Sequence, residues 1–160
     1  MNDVKFKEDK LFNKDIITAV EIAHDLRFVS YNRHMRIDGR ECDVVAIFET
    51  AEGKYLRLIG FELKDKNFDK VVAQALERRK LFDYMYIVTG LSAKELLRAV
   101  LNYRYFAELV NSLKQEGIGI ICENEVILYS KFRKGSLQPL LNFSSSSRRR
   151  EEGGGVRCRR

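Results

Sequence analysis

Residues 43–64 read DVVAIFETAEGKYLRLIGFELK, two β-prone runs about a short glycine-containing connection. Val, Ile, Phe and Tyr suit a pleated, half-buried surface. DVVAIFE (43–49) and YLRLIGFELK (55–64), joined through Ala51-Glu52-Gly53-Lys54, therefore predict a hairpin. The second run is apolar from Leu58 to Leu63 except at Glu62. Side chains alternate with period two, so Glu62 and Lys64 share the face that carries Leu56 and Leu58. A hairpin sets the start of the first run beside the end of the second, which brings Asp43 next to Glu62. Two such carboxylates repel, and burial makes that costly unless a cation joins them. Hard oxygen donors suit Mg²⁺ or Mn²⁺. Lys64 can neutralise a phosphate or orient a water. An ion pair between Lys64 and either carboxylate uses the same residues, and charge pattern alone leaves both readings open.

Outward from this hairpin, residues 8–27 predict an amphipathic helix, with Phe12, Ile16, Ala19, Val20 and Ala23 at helical spacing. Phe28–Tyr31 predicts a short strand, followed by the polar stretch NRHMRIDGRE. On the other side, residues 67–80 predict a helix whose apolar stripe is Phe68, Val71, Val72, Ala75 and Leu76. Residues 83–89 (DYMYIVT) predict a strand. Ser92 with Glu95 forms a capping-box pattern that starts a further helix, with a break or second helix before Gln115 and a stop at Gly117. Strands at 118–122 and 126–129 follow, about Glu123-Asn124. The order is that of an α/β fold, a mixed central sheet flanked by helices.

The chain has 160 residues, 45% of them hydrophobic, which suits one globular domain, here 1–143. The segment 144–160, SSSSRRREEGGGVRCRR, is low in complexity and predicts disorder. It reads as a phosphate-binding arm or as a sequence artefact. It carries +4 of the formal net charge of +6, so the body is only mildly basic. Such a charge permits a nucleic-acid partner without demanding one. Three widely spaced cysteines, Cys42, Cys122 and Cys158, make neither a disulfide framework nor a zinc pattern. No run is long enough for a membrane helix and the N-terminus has no secretory pattern, so a cytoplasmic protein is expected.

Three further sets of residues have candidate roles. Lys66, Lys70, Gln74 and Arg78 recur every four positions along the helix after the hairpin, and such a row can track a phosphate backbone or be a solvated face. His24 and His34 have no cysteine at ligand spacing and read as surface or partly packed residues. Tyr103, Tyr105 and Phe106 read as helix core, with a dimer face as the alternative.

An Asp, a hairpin-sized gap, Glu-x-Lys in an apolar strand and then a helix with a Gln resemble the PD-(D/E)XK nuclease superfamily. The resemblance runs from about Val20 to Thr89, through VEIA at Glu21, GRECDVVA at Asp43, FELK at Glu62 and Lys64, and VVAQAL at Gln74. GIGIICENEVILY (117–129) resembles the closing strands of archaeal restriction-endonuclease-like domains. Cys42 stands where a proline often precedes the family's Asp. The resemblance implies a restriction-endonuclease-like fold and Mg²⁺-dependent hydrolysis of DNA phosphodiesters, with Mn²⁺ substituting and 5′-phosphate products. It makes Asp43 and Glu62 the metal ligands, Lys64 the residue that assists water, and Glu21 and Gln74 accessory site residues. Duplex or branched DNA is the implied partner. Small members include junction resolvases that act as homodimers, and restriction or repair cleavage is the other sub-class. Two alternatives stand beside a DNA endonuclease: an inactive nucleic-acid-binding module on the same fold, and an RNA-processing enzyme.

Overall fold

The hairpin forms, and it sits inside a larger meander. The computed structural model describes residues 7–141; the predicted tail at 144–160 and the domain end at 143 lie outside the described residues. Strands β1 (Leu26–Ile37), β2 (Arg40–Thr50), β3 (Leu56–Lys64), β4 (Tyr84–Thr89), β5 (Ile118–Cys122) and β6 (Glu125–Leu128) make one six-stranded sheet in chain order. β2 is antiparallel to both of its neighbours, β1 and β3, while β3, β4 and β5 run parallel and β6 returns antiparallel to β5. The parallel crossovers hold the helices α2 (Phe68–Arg78), α3 (Ala93–Asn102) and α4 (Arg104–Gln115), while α1 (Lys14–His24) precedes the sheet.

Period-two alternation divides the apolar residues between two layers. Val44, Ala46, Phe48, Ile59, Phe61, Tyr86 and Val88 pack with Phe12, Ile16 and Val20 of the α1 side. Val45, Leu58, Met85 and Ile87 pack on the opposite face with Val71, Val72, Ala75, Leu96 and Leu113 of α2, α3 and α4. The sheet is therefore buried on both faces. Gly60 is required by this packing: a Cβ there would lie 2.6 Å from the Phe82 ring.

Three elements differ from the sequence reading. The first helix is shorter at both ends. Asn13 caps it, its side chain accepting from the N–H groups of Asp15 (2.9 Å) and Ile16 (3.3 Å). Asp25 stops it in the left-handed conformation at φ 52°. Phe12 is buried as predicted, but from outside the helix, with its ring 4.9 Å from that of Phe61.

β1 runs on through the polar stretch to Ile37. It is an edge strand with one neighbour, and charged side chains are tolerated and protective on such an edge. Asp38-Gly39, with φ 51° and 76°, makes the two-residue turn into β2. β6 begins one residue earlier than expected, after Glu123-Asn124, both at positive φ.

The Ser92 capping box is present in both directions, and Tyr103 breaks the helical segment into α3 and α4. Tyr103 (67%) and Tyr105 (61%) are exposed rather than helix core; Phe106 alone turns inward, stacking on Phe68. Among the described residues no helix is long and apolar enough to cross a membrane.

Candidate metal centre

The β2–β3 ladder ends at Val44 and Phe61. One step further the strands part, and the N–H of Leu63 donates to Oδ2 of Asp43 at 2.8 Å instead of to a backbone carbonyl. An acidic side chain at this point completes the sheet edge and is held rigidly by it. Glu62, one residue before Leu63, is 1% exposed. Its Oε1 accepts from Nη1 of Arg78 at 3.0 Å.

Both carboxyls are pushed toward the protonated form. Glu62 is raised to about 8, by burial first and by the Asp43 charge second, with Arg78 opposing them. Burial likewise raises Asp43, with the Leu63 N–H acting the other way. The Cys42 thiol beside them is also held protonated, first by burial and then by the two carboxylates. Lys64 closes this corner through an ion pair of 3.1 Å with Glu8, in the helical turn ahead of α1.

A third strand contributes His34. The Asp38-Gly39 turn sets Ile37 opposite Arg40, and the pairs Arg33–Val44 and Met35–Cys42 put His34 across from Asp43. His34 has φ 54°, an uncommon conformation for a residue with a Cβ. Its Nδ1 lies 2.9 Å from Glu41 and its Nε2 3.4 Å from Asp9. Potential ligand atoms of His34, Glu41 and Asp43 all fall within 4.8 Å of one another. The sequence reading took His34 for a surface or partly packed residue, with no ligand role, and did not single out Glu8. The D-G dipeptide held the signal for His34, because a two-residue turn fixes the pairing on either side. Nothing local marks Glu8.

The structure brings Asp43, Glu62 and Lys64 to one corner and leaves Glu21 out of it. Glu21 accepts from the N–H of Phe28 at 3.1 Å. Phe28 pairs with Phe48, five residues along β2 from Asp43, or about 17 Å of strand. The predicted basic row also divides. Lys66 and Lys70 are exposed, Gln74 is half-buried, and Arg78 is 8% exposed. Residues four apart advance about 40° around a helix, so three steps carry the row about a third of the way round. Arg78 thereby falls on the stripe of Phe68, Val71, Val72 and Ala75. It reaches Glu62, and the reading of Arg78 as a phosphate contact is corrected accordingly.

Two adjacent carboxyls that burial drives toward protonation form a donor set that fits a hard divalent cation. The cation would supply the charge that protons otherwise supply. Asp43 and Glu62 offer oxygens, and Asp43 also lies within 4.8 Å of potential ligand atoms of His34 and Glu41, a cluster that does not include Glu62.

No protein-family model matches the chain, and no curated protein matches it. Among solved structures, it is similar to the SPO1766 protein of unknown function from Silicibacter pomeroyi, at 15% identity and a TM-score of 0.46. That match covers 89% of this chain and 94% of the other.

Proposed function

We propose that the chain is a metal-dependent endonuclease acting on DNA. The observation that carries this reading is the parting of β2 and β3 at Asp43, which leaves its carboxylate beside the buried Glu62 with Lys64 two residues on. Asp43 and Glu62 would hold Mg²⁺ or Mn²⁺, which when bound polarises a phosphodiester and supplies a nucleophilic water near neutral pH. Asp43 is positioned for this by the Leu63 N–H, which fixes its carboxylate plane. Lys64 presents its ammonium to a phosphate oxygen or to the incoming water, with Glu8 restricting its rotamers. Lys66 and Lys70, exposed just after Lys64, follow the backbone of a bound strand.

Alanine substitutions at Asp43, Glu62 and Lys64 test this on duplex, flap and four-way DNA, with an RNA panel alongside. Loss of Mg²⁺- or Mn²⁺-dependent cleavage with circular dichroism unchanged is the expected result. Wild-type rates in all three variants would end the assignment. Cleavage confined to four-way DNA by a sedimenting dimer would single out junction resolution. A second reading, a nucleic-acid-binding module without turnover, is favoured by the pairs Arg78–Glu62 and Lys64–Glu8, which satisfy these charges internally. It expects DNA binding in EDTA and no cleavage with either metal.

A further inference from the structure

We propose that Arg78 is a resident counter-cation of this centre, one that competes with the divalent metal for Glu62; the inference rests on the metal-site reading above. The last residue of α2, Arg78, and the next residue, Arg79, are both buried but have very different surroundings. Arg79 is saturated: its Nε, Nη1 and Nη2 donate to the carbonyls of Glu116 (2.9 Å), Phe82 (2.7 Å) and Lys131 (2.7 Å). It ties α2 to the segments after α4 and β6, as a structural arginine does. Among the described residues Arg78 makes one ion pair, with Glu62, and its buried Nε has no partner. A buried guanidinium left with an unsatisfied donor is poor as a clamp. What it does supply is one positive charge to a pocket with two carboxylates.

That charge bears directly on metal entry. Arg78 occupies Oε1 of Glu62, and its guanidinium would stand beside any cation seated between Glu62 and Asp43. Like charges a few ångströms apart in a partly buried site repel strongly. Metal binding must therefore withdraw Glu62 Oε1 from Arg78, or tolerate the repulsion. In either case Arg78 raises the metal concentration at which the centre fills. In the metal-free fold Glu62 is not left without a partner, because its Oε1 accepts from Arg78.

The test is a Mn²⁺ titration of the full chain by calorimetry, with thermal melting in EDTA and in excess Mn²⁺. The variants are Arg78→Met, which removes charge and donors, Arg78→Gln, which keeps a donor without charge, and Arg78→Lys, which keeps the charge. The neutral variants are expected to bind Mn²⁺ roughly tenfold tighter or more, as loss of a nearby unit charge implies. Their melting temperatures should rise more on Mn²⁺ addition than that of the wild type. Arg78→Lys should stay near the wild type. A purely structural Arg78 gives the opposite, because loosening the site weakens binding. If Arg78→Met does not fold, Arg78→Gln decides. Wild-type binding with equal or weaker affinity in the neutral variants overturns the inference and leaves the metal site standing. Binding only in the neutral variants supports it in its strongest form. No Mn²⁺ binding by any of the chains removes both the inference and the metal reading.

Discussion

The buried Glu62 carboxyl near the end of β3 makes stability in EDTA fall as pH rises through neutrality. Glu62 has an ordinary value of 4.5 and is raised to about 8 in the folded chain. Between these values the folded state holds a proton that the unfolded state has released. The stabilisation is complete below 4.5 and is lost as pH climbs toward 8. His24, packed against the Tyr84 ring and hydrogen-bonded to Tyr86, works in the opposite direction. Burial lowers it from 6.5 to about 4, so its contribution is present above 6.5 and lost as pH falls from there. The two effects overlap between 4.5 and 6.5, and Asp43 adds to the side of Glu62 at low pH. The window from 6.5 to 8 isolates Glu62. At about 1.4 kcal/mol per pH unit for one proton, it contributes a fall of about 2 kcal/mol across that window. Urea unfolding in EDTA at half-unit intervals measures the slope. Glu62→Gln keeps an acceptor for Arg78 but cannot titrate, so its stability should be flat over the same range. A wild-type chain whose stability is level or rises from 6.5 to 8, or a Glu62→Gln chain with an undiminished slope, would refute the burial argument for this pair.

Three other substitutions have expected outcomes. Gly60→Ala places a Cβ 2.6 Å from the Phe82 ring on a fully packed face, and should lower stability by about 1–3 kcal/mol in urea melts. Asp83→Ala should cost about 3 kcal/mol or more by the same measurement, since the buried carboxylate accepts from the N–H groups of Leu58 (2.8 Å) and Gly135 (2.9 Å) and both would be left unpaired. Glu21→Ala should leave any metal-dependent cleavage rate within about twofold of wild type, whereas Glu8→Gln, which releases Lys64, should lower it; the reverse order would restore Glu21 to the site.

What the chain declares by itself is local and periodic. The alternation in 43–64 specifies a hairpin, and with it the nearness of Asp43 and Glu62, because a strand has only two faces. The α2 stripe and the Ser92–Glu95 box are equally legible, since each depends on residues within a turn or two. The mixed order of elements is enough for an α/β sheet with helices on its faces. Other features depended on neighbours distant in sequence. The NRHMRI stretch looks like a loop because its strand has a single partner, and the absence of a second neighbour cannot be read from the strand itself. His34 and Glu8 join the corner only when β1 and the N-terminal turn fold back on β2 and β3. The same holds for Arg78. The sequence reading set it in a basic row beside the apolar stripe, and only the structure shows it meeting Glu62, sixteen residues earlier, in the core. Periodicity assigns a residue to a face; only the packed structure decides what that face meets, and so which charges share the site.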